Sequence, residues 1–350
     1  METIKPPKNP GTRLRYLSDT RSGISRKVRG RKSFDYLFRN RAVRQKPILS
    51  RIDALALPPA WTNVWISPHA NSHLQATGRD ARGRKQYRYH DEFREKKDGE
   101  KFANLIPFAR NLPLIRKRLK RDLRLRGLPR EKVLAAIVEL LDLTLIRVGN
   151  SQYSRENHSY GLSTLQNRHV HKEGASLRLD FKGKSGVKHV VEIGDRKLVQ
   201  IIKKCHALPG RHLFEYVDHL GKIHAVNSSD VNDYVRMALN ADCTAKSFRT
   251  WWGTVLAALA FERAQPAKTT KGFITGVVRE IALQLRNTPA VCRRYYIHPA
   301  ILSSVMDGGF MKAMRDVRWR AGRKRSNGFS KDEAAVFGLL RKLERRSSKP

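Results

Sequence analysis

Leu177-Arg178-Leu179-Asp180-Phe181-Lys182-Gly183-Lys184-Ser185-Gly186-Val187-Lys188-His189-Val190-Val191-Glu192-Ile193 carries the clearest structural signal in the chain. Leu177, Leu179 and Phe181 alternate with polar residues, a Gly-rich turn follows, and Val187, His189, Val191 and Ile193 alternate back. A period of two on both arms predicts a β-hairpin with Lys184 at its tip. Gly183-Lys184-Ser185 also imitates the end of a phosphate-binding loop. That motif needs a glycine five positions before Gly183, where Arg178 stands, and a helix where a strand returns. The pattern argues against an ATP-driven motor.

On both sides of the hairpin the period changes to that of helices. Pro129 opens one in which Leu134, Ile137, Val138, Leu141 and Leu145 form an apolar stripe, and Gly149 is expected to stop it just after Arg147. Further helices are predicted at about 229–239, 244–263 and 271–286. Thr288 then caps and Pro289 starts a short helix ending at Tyr295-Tyr296-Ile297-His298-Pro299. Upstream, residues 48–90 hold short apolar runs around Trp61, Val64, Trp65 and Ile66, which predict a small sheet. The fold class expected is therefore α+β. Its parts are a basic, loosely attached arm (1–46), a β-rich N-terminal DNA-binding domain (47–105), a mainly α-helical catalytic domain with the hairpin (106–320) and a basic C-terminal segment (321–350). Within the arm, Phe34, Tyr36, Leu37 and Phe38 form an apolar anchor.

The 350 residues include 71 Lys and Arg against 31 Asp and Glu, a formal net charge of +40 spread along the whole chain. Such a charge repels itself unless a polyanion is near, and nucleic acid is the expected partner. The longest strongly apolar runs, such as Val255 to Phe261, fall far short of the roughly 20 residues that cross a bilayer. No membrane association is expected. The N-terminal sequence lacks a secretory pattern, so a cytoplasmic, nucleoid-associated location is expected. Cys205, Cys243 and Cys292 are odd in number and far apart, which fits reduced thiols rather than a disulfide framework or a zinc site. Neither a compact carboxylate cluster nor a His-x-x-x-His pair suggests a metal.

What remains is phosphoryl transfer by cationic side chains and a protein nucleophile. A phosphodiester under attack gathers charge on its non-bridging oxygens, which suits forked Arg donors. A covalent nucleophile and an acid for the leaving oxygen complete the set. Arg147, Lys184, Arg249 and Tyr296 lie at the ends of four predicted elements and could meet at one phosphate.

Five motifs in order resemble those of the bacterial and poxvirus-like type IB DNA topoisomerases, over about Pro58 to Pro299. Gly78-Arg79-Asp80-Ala81-Arg82-Gly83-Arg84-Lys85-Gln86-Tyr87-Arg88-Tyr89-His90 is similar to the family's N-domain motif. Leu145-Ile146-Arg147-Val148-Gly149-Asn150 resembles its first Arg segment, Phe181 to Gly186 its general-acid hairpin, and Ala245-Lys246-Ser247-Phe248-Arg249-Thr250 its second Arg box. Asn287-Thr288-Pro289-Ala290-Val291-Cys292-Arg293 with Tyr295 to Pro299 is similar to the nucleophile region. The resemblance implies a C-shaped clamp around duplex DNA, with Tyr296 as nucleophile and a 3′-phosphotyrosyl intermediate. It implies Arg147 and Arg249 on the phosphorus oxygens, Lys184 as general acid, and no cofactor or nucleotide. A monomer is enough for this chemistry.

Many relatives have His nine positions before the nucleophile, and Asn287 stands there instead, able to donate a hydrogen bond but not to carry charge. Tyr296 rather than Tyr295 is assigned because it directly precedes Ile297-His298-Pro299. Arg79, Arg82, Arg84, Lys85, Gln86, Tyr87 and Tyr89 are assigned to the DNA backbone. Cys292, His90, His189 and His298 read as packing residues. Two alternatives stay open. One is a tyrosine recombinase, whose second Arg box usually reads His-x-x-Arg where this chain has Lys246-Ser247-Phe248-Arg249. The other is a non-catalytic DNA binder, which would have no use for all the motifs.

Overall fold

A computed structural model describes residues 13–30, 33–239, 243–264, 270–322 and 328–347. The chain divides into two units, Met1–Glu100 and Lys101–Pro350.

In the first unit, β1 (Ile24–Val28), β2 (Phe34–Phe38), β3 (Arg41–Ala42), α1 (Lys46–Ala54), β4 (Thr62–Ile66), β5 (Leu74–Arg79) and β6 (Lys85–Tyr89) follow in order. The strands form one six-stranded sheet, β3-β2-β1-β4-β5-β6, with every pairing antiparallel. Its core gathers Ile24, Ile66 and Ala76 from the sheet with Ile48 and Ile52 from α1. This corrects the expectation of a loose arm for the described part of residues 1–46, whereas residues 1–12 and 31–32 lie outside the described residues. Ile24 is fully buried and pairs with both Phe38 and Ile66, so β1 lies inside the sheet. Arg15 already exchanges backbone hydrogen bonds with Asn71 and His73. One fully buried apolar residue seats the strand, with the half-buried Arg26 donating to the Trp61 carbonyl (2.7 Å), and the basic composition hid it. The anchor at Phe34 to Phe38 is strand β2.

α2 (Asp91–Ala103) runs through the division between the units. The second unit continues with α3 (Leu105–Asp122), α4 (Arg130–Thr144), α5 (Ser151–Asn157), β7 (Val170–Glu173), β8 (Ser176–Lys182), β9 (Lys188–Ile193) and α6 (Arg196–His206). β10 (Glu215–Val217), β11 (Ile223–Ala225), α7 (Ser228–Leu239), α8 (Ala245–Arg263) and α9 (Thr270–Gln284) follow. The last four are α10 (Pro289–Tyr295), α11 (Pro299–Met306), α12 (Phe310–Gly322) and α13 (Lys331–Ser347). One apolar core runs through these helices, with Phe108, Phe248, Trp251 and Phe261 fully enclosed. The fold is α+β.

The predicted hairpin is β8 and β9, in register Phe181 with His189 and Lys182 with Lys188, and β7 adds a third strand on the far side of β8. α4 ends earlier than expected. It stops at Thr144, because Leu145 turns left-handed (φ 58°) and closes the helix on the Leu141 carbonyl. A left-handed leucine costs about 1–2 kcal/mol, and the gain appears at the site described next.

Arg116 of α3 ties its own helix to two others. Its guanidinium bonds Asp142 of α4 (2.9 Å) and Glu333 of α13 (2.9 Å). Trp252 Nε1 donates to Asp142 (2.7 Å) and Trp251 Nε1 to Glu333 (3.1 Å), which ties α8 to the same charges.

Candidate active site

Tyr296 caps the C-terminus of the short helix α10, which Thr288 opens by accepting the Val291 N–H and Pro289 starts. Its neighbour Cys292 is fully buried one turn earlier. Tyr296 itself is only 7% exposed. Its backbone is held from below by α8. Thr254 Oγ1 lies 3.2 Å from the Tyr296 carbonyl and accepts the His298 N–H at 3.1 Å. Gly253, one residue earlier, has no side chain because a Cβ there would stand 2.7 Å from the Tyr296 carbonyl oxygen. Gly253→Ala is therefore expected to push the Tyr296 backbone outward, with a cost of about 1–3 kcal/mol. It should lower the melting temperature and slow DNA cleavage together. Unchanged values of both, in thermal unfolding and single-turnover cleavage, would count against this packing.

Arg249, on the first turns of α8, is 3% exposed and places its guanidinium 5.2 Å from the centre of the Tyr296 ring. Backbone carbonyls fix it. Nη1 donates to the Leu145 carbonyl and Nη2 to that of Leu285 (2.7 Å). The left-handed turn at Leu145 ends α4 where this carbonyl is needed. Two residues on, Arg147 reaches the start of α10, its Nη2 donating to Asn287 Oδ1 at 2.6 Å. With Oδ1 so engaged, the buried Asn287 Nδ2 is left without an acceptor, as is Arg249 Nε. Buried donors without partners cost about 1–3 kcal/mol each, so both are poised for an incoming oxygen.

The electrostatics follow from this geometry. Burial pushes the Tyr296 phenol up, but the Arg249 and Arg147 charges and a hydrogen bond from Arg249 outweigh it and hold the phenol below its ordinary value. Burial and the nearby Arg147 both lower the pKa of Arg249. His189 is pushed down to about 4, first by burial and then by Arg286, Arg147 and Arg249, so its imidazole is neutral at neutral pH. Lys101 lies over both rings of the pair, 5.4 Å from that of Tyr295 and 5.5 Å from that of Tyr296, but Tyr295 otherwise faces Lys246 (5.8 Å) and Arg294 (5.3 Å) where Tyr296 faces Arg249.

Lys184 stands exposed at the hairpin tip, in the one-turn segment Lys184–Gly186. The tip end of that hairpin, at Lys182, is joined to the Arg147 segment through residues 160–163. Tyr160 N–H donates to the Lys182 carbonyl (2.8 Å) and Leu162 N–H to that of Arg147 (3.0 Å). Gly161 allows this approach, because a Cβ would meet the Arg147 carbonyl oxygen at 2.5 Å. Tyr296, Arg249, Arg147 and Asn287 are thus connected side by side, and Lys184 is tied to them through β8 and β9.

The remaining residues of interest lie in the first unit, on the β5–β6 hairpin. Tyr87 and Tyr89 are exposed and stacked, 6.0 Å apart and 6° from parallel. Asp80 organises the turn between the strands. It accepts the backbone N–H groups of Arg82 (2.9 Å) and Arg84 (3.0 Å), Arg84 Nε (2.8 Å) and Gln86 Nε2 (2.8 Å). The Arg84 hydrogen bond leads in holding its carboxyl down at about 2. Lys85 pairs with Asp19, and Arg79 donates to the Gly83 carbonyl (2.7 Å). Two cations assigned to the DNA backbone, Arg84 and Lys85, are therefore held in set directions by acids of the same unit. The sequence signal for Asp80 was a lone acid just before the Arg-Gly turn. Thr254 and Gly253 carried no such signal, since they act on backbone. Among the described residues no group of His, Cys, Asp and Glu is arranged to hold a metal ion, and no helix is long and apolar enough to cross a membrane.

Residues 90–319 match the family model described as eukaryotic DNA topoisomerase I, catalytic core. Residues 33–80 match that of the bacterial DNA topoisomerase IB N-terminal domain. The chain is 34% identical to DNA topoisomerase 1B of Acanthamoeba polyphaga mimivirus over 285 residues, covering 79% of this chain and 85% of the relative. It is 23% identical to DNA topoisomerase I of Monkeypox virus and to DNA topoisomerase 1B of Vaccinia virus (strain Copenhagen), each over 297 residues, 79% of this chain and 88% of the relative.

Proposed function

Because the chain belongs to the type IB DNA topoisomerase family, we propose that it relaxes supercoiled duplex DNA through a transient bond between Tyr296 and a 3′ phosphate. One observation carries the assignment to Tyr296. Of the tyrosine pair it is Tyr296 whose ring lies beneath the buried Arg249 guanidinium, at 5.2 Å, where the Arg249 and Arg147 charges hold its phenol below the ordinary value against burial. The phenol, held toward ionisation, gives its proton to water and attacks phosphorus as the phenolate. Arg147 and Arg249 take the non-bridging oxygens, Asn287 Nδ2 donates a further hydrogen bond, and the 5′ oxygen leaves with a proton from Lys184. The phosphoester keeps the bond energy, so the 5′-hydroxyl reseals the strand by attacking in reverse once it has turned about the intact strand. Every step is supplied by side chains of one chain, which fits a monomer that needs neither nucleotide nor metal.

The first unit contributes affinity in this reading. Arg79, Arg82, Arg84, Lys85, Gln86, Tyr87 and Tyr89 meet the DNA backbone, with Asp80 setting the direction of Arg84 and Asp19 that of Lys85. The +40 charge implies counterion release from many phosphates, and a nucleoid-associated location follows from the same affinity. The test is relaxation of a negatively supercoiled plasmid with a chelator present and ATP omitted. Complete relaxation, with a detergent-trapped protein–DNA adduct, is expected. Binding without relaxation would leave only a DNA-binding protein.

A further inference from the structure

The C-terminus of α9 departs from what the backbone prefers. Arg286 N–H donates to the Leu283 carbonyl (3.0 Å) and Asn287 N–H to that of Ala282 (2.8 Å), the paired bonds of a helix end closed by a left-handed residue. Glycine is the ordinary choice at that residue, yet this chain places Arg286 there at φ 50°. A non-glycine residue in that backbone is strained, and its side chain shows what the strain serves. The half-buried guanidinium reaches the hairpin, Nη1 to the Lys188 carbonyl (3.1 Å) and Nη2 to that of Val190 (3.2 Å).

Those two carbonyls lie on the outer side of β9. β9 is an edge of its sheet, and Lys188 and Val190 alternate with His189 and Val191, whose pairs face β8. Three successive residues therefore make three different attachments. The Leu285 carbonyl accepts Arg249 (2.7 Å), Arg286 grips β9, and Asn287 Oδ1 accepts Arg147 (2.6 Å).

We propose that Arg286 is a positioning residue of the cleavage reaction, which fixes the edge of the Lys184 hairpin against the arginine pair so that the proton reaches the leaving oxygen as Tyr296 attacks. This rests on the reading of Lys184 as general acid. Arg286 touches no reacting atom. A phosphate contact would act on both bonds of the transfer, whereas a hairpin latch acts on the leaving side alone.

Single-turnover cleavage of two duplexes separates these roles, one with the ordinary 5′ oxygen at the scissile phosphate and one with sulfur in its place. Sulfur departs without a proton, so a defect in proton delivery vanishes on it. Arg286→Ala is expected to cleave the oxygen duplex about 10- to 100-fold more slowly, and the sulfur duplex within a few-fold of the parent. Lys184→Ala should show the same rescue, and Arg286→Ala should add little to it in the double variant. Arg286→Lys keeps the charge and one donor, and should show a smaller loss with the same rescue even if the alanine variant does not fold. Equal losses on both duplexes for the Arg286 variants, with Lys184→Ala still rescued, would overturn the latch and leave the acid in place. No loss on oxygen would overturn it as well. Failure of sulfur to rescue Lys184→Ala would remove the acid reading, and the inference with it.

Discussion

Tyr296→Phe is expected to abolish relaxation and the covalent adduct, a loss of at least about 10⁴-fold in single-turnover cleavage, while the protein folds and binds duplex DNA as the parent does. The change removes one oxygen. The ring still fills its place beneath Arg249, 5.2 Å from the guanidinium, and the backbone contacts to Thr254 and Gly253 do not involve the hydroxyl. Tyr295→Phe, whose ring lies under Lys246 and Arg294 rather than Arg249, should keep most of both activities. Mass spectrometry of the trapped adduct decides between them, since a nucleotide on Tyr295 would reverse the assignment.

The second large effect separates the two arginines. Arg249→Ala and Arg147→Ala should each cost about 10²- to 10³-fold in cleavage, the scale of losing one preorganised donor to a developing oxyanion. Their effects on stability should differ. Arg249 also satisfies the carbonyls of Leu145 and Leu285, so its loss strands two acceptors in a buried site, at about 1–3 kcal/mol each. Arg147 is half-buried and bonds the Asn287 side chain. A melting temperature that falls clearly for Arg249→Ala and little for Arg147→Ala is the expected pattern, and the reverse would refute the anchoring described. Arg249→Lys should rescue poorly, because an ammonium cannot span both carbonyls and still serve the phosphate.

The parts that the sequence made legible share one property, which is that side chains announce them. The alternation from Leu177 to Ile193 is periodic on both arms, and it became β8 and β9 with Lys184 at the tip. Thr288 and Pro289 are helix-start residues, and α10 begins there. The family motifs named Arg147, Arg249 and Tyr296, and the fold sets these three beside one another. What stayed hidden works through backbone. β1 needs only Ile24 to be apolar, so its basic neighbours read as an arm. α4 ends at Leu145, a residue with no stop signal, because its carbonyl is wanted by a side chain 104 positions away. Gly253 and Arg286 likewise answer to main-chain oxygens, and no spacing rule reaches those.

One of these backbone attachments has a thermodynamic side. Both arms of the Arg249 guanidinium end on neutral carbonyl oxygens, and among the described residues neither it nor Arg147 pairs with a carboxylate. Two like charges therefore share one site, and Arg147 works against the ionisation of the buried Arg249 and against the compact state that brings them together. A phosphodiester is the counterion such a site lacks among its own side chains. Affinity for the substrate and cohesion of the catalytic unit are then linked functions of one charge balance, and the polymer the enzyme cuts is also the anion that steadies it.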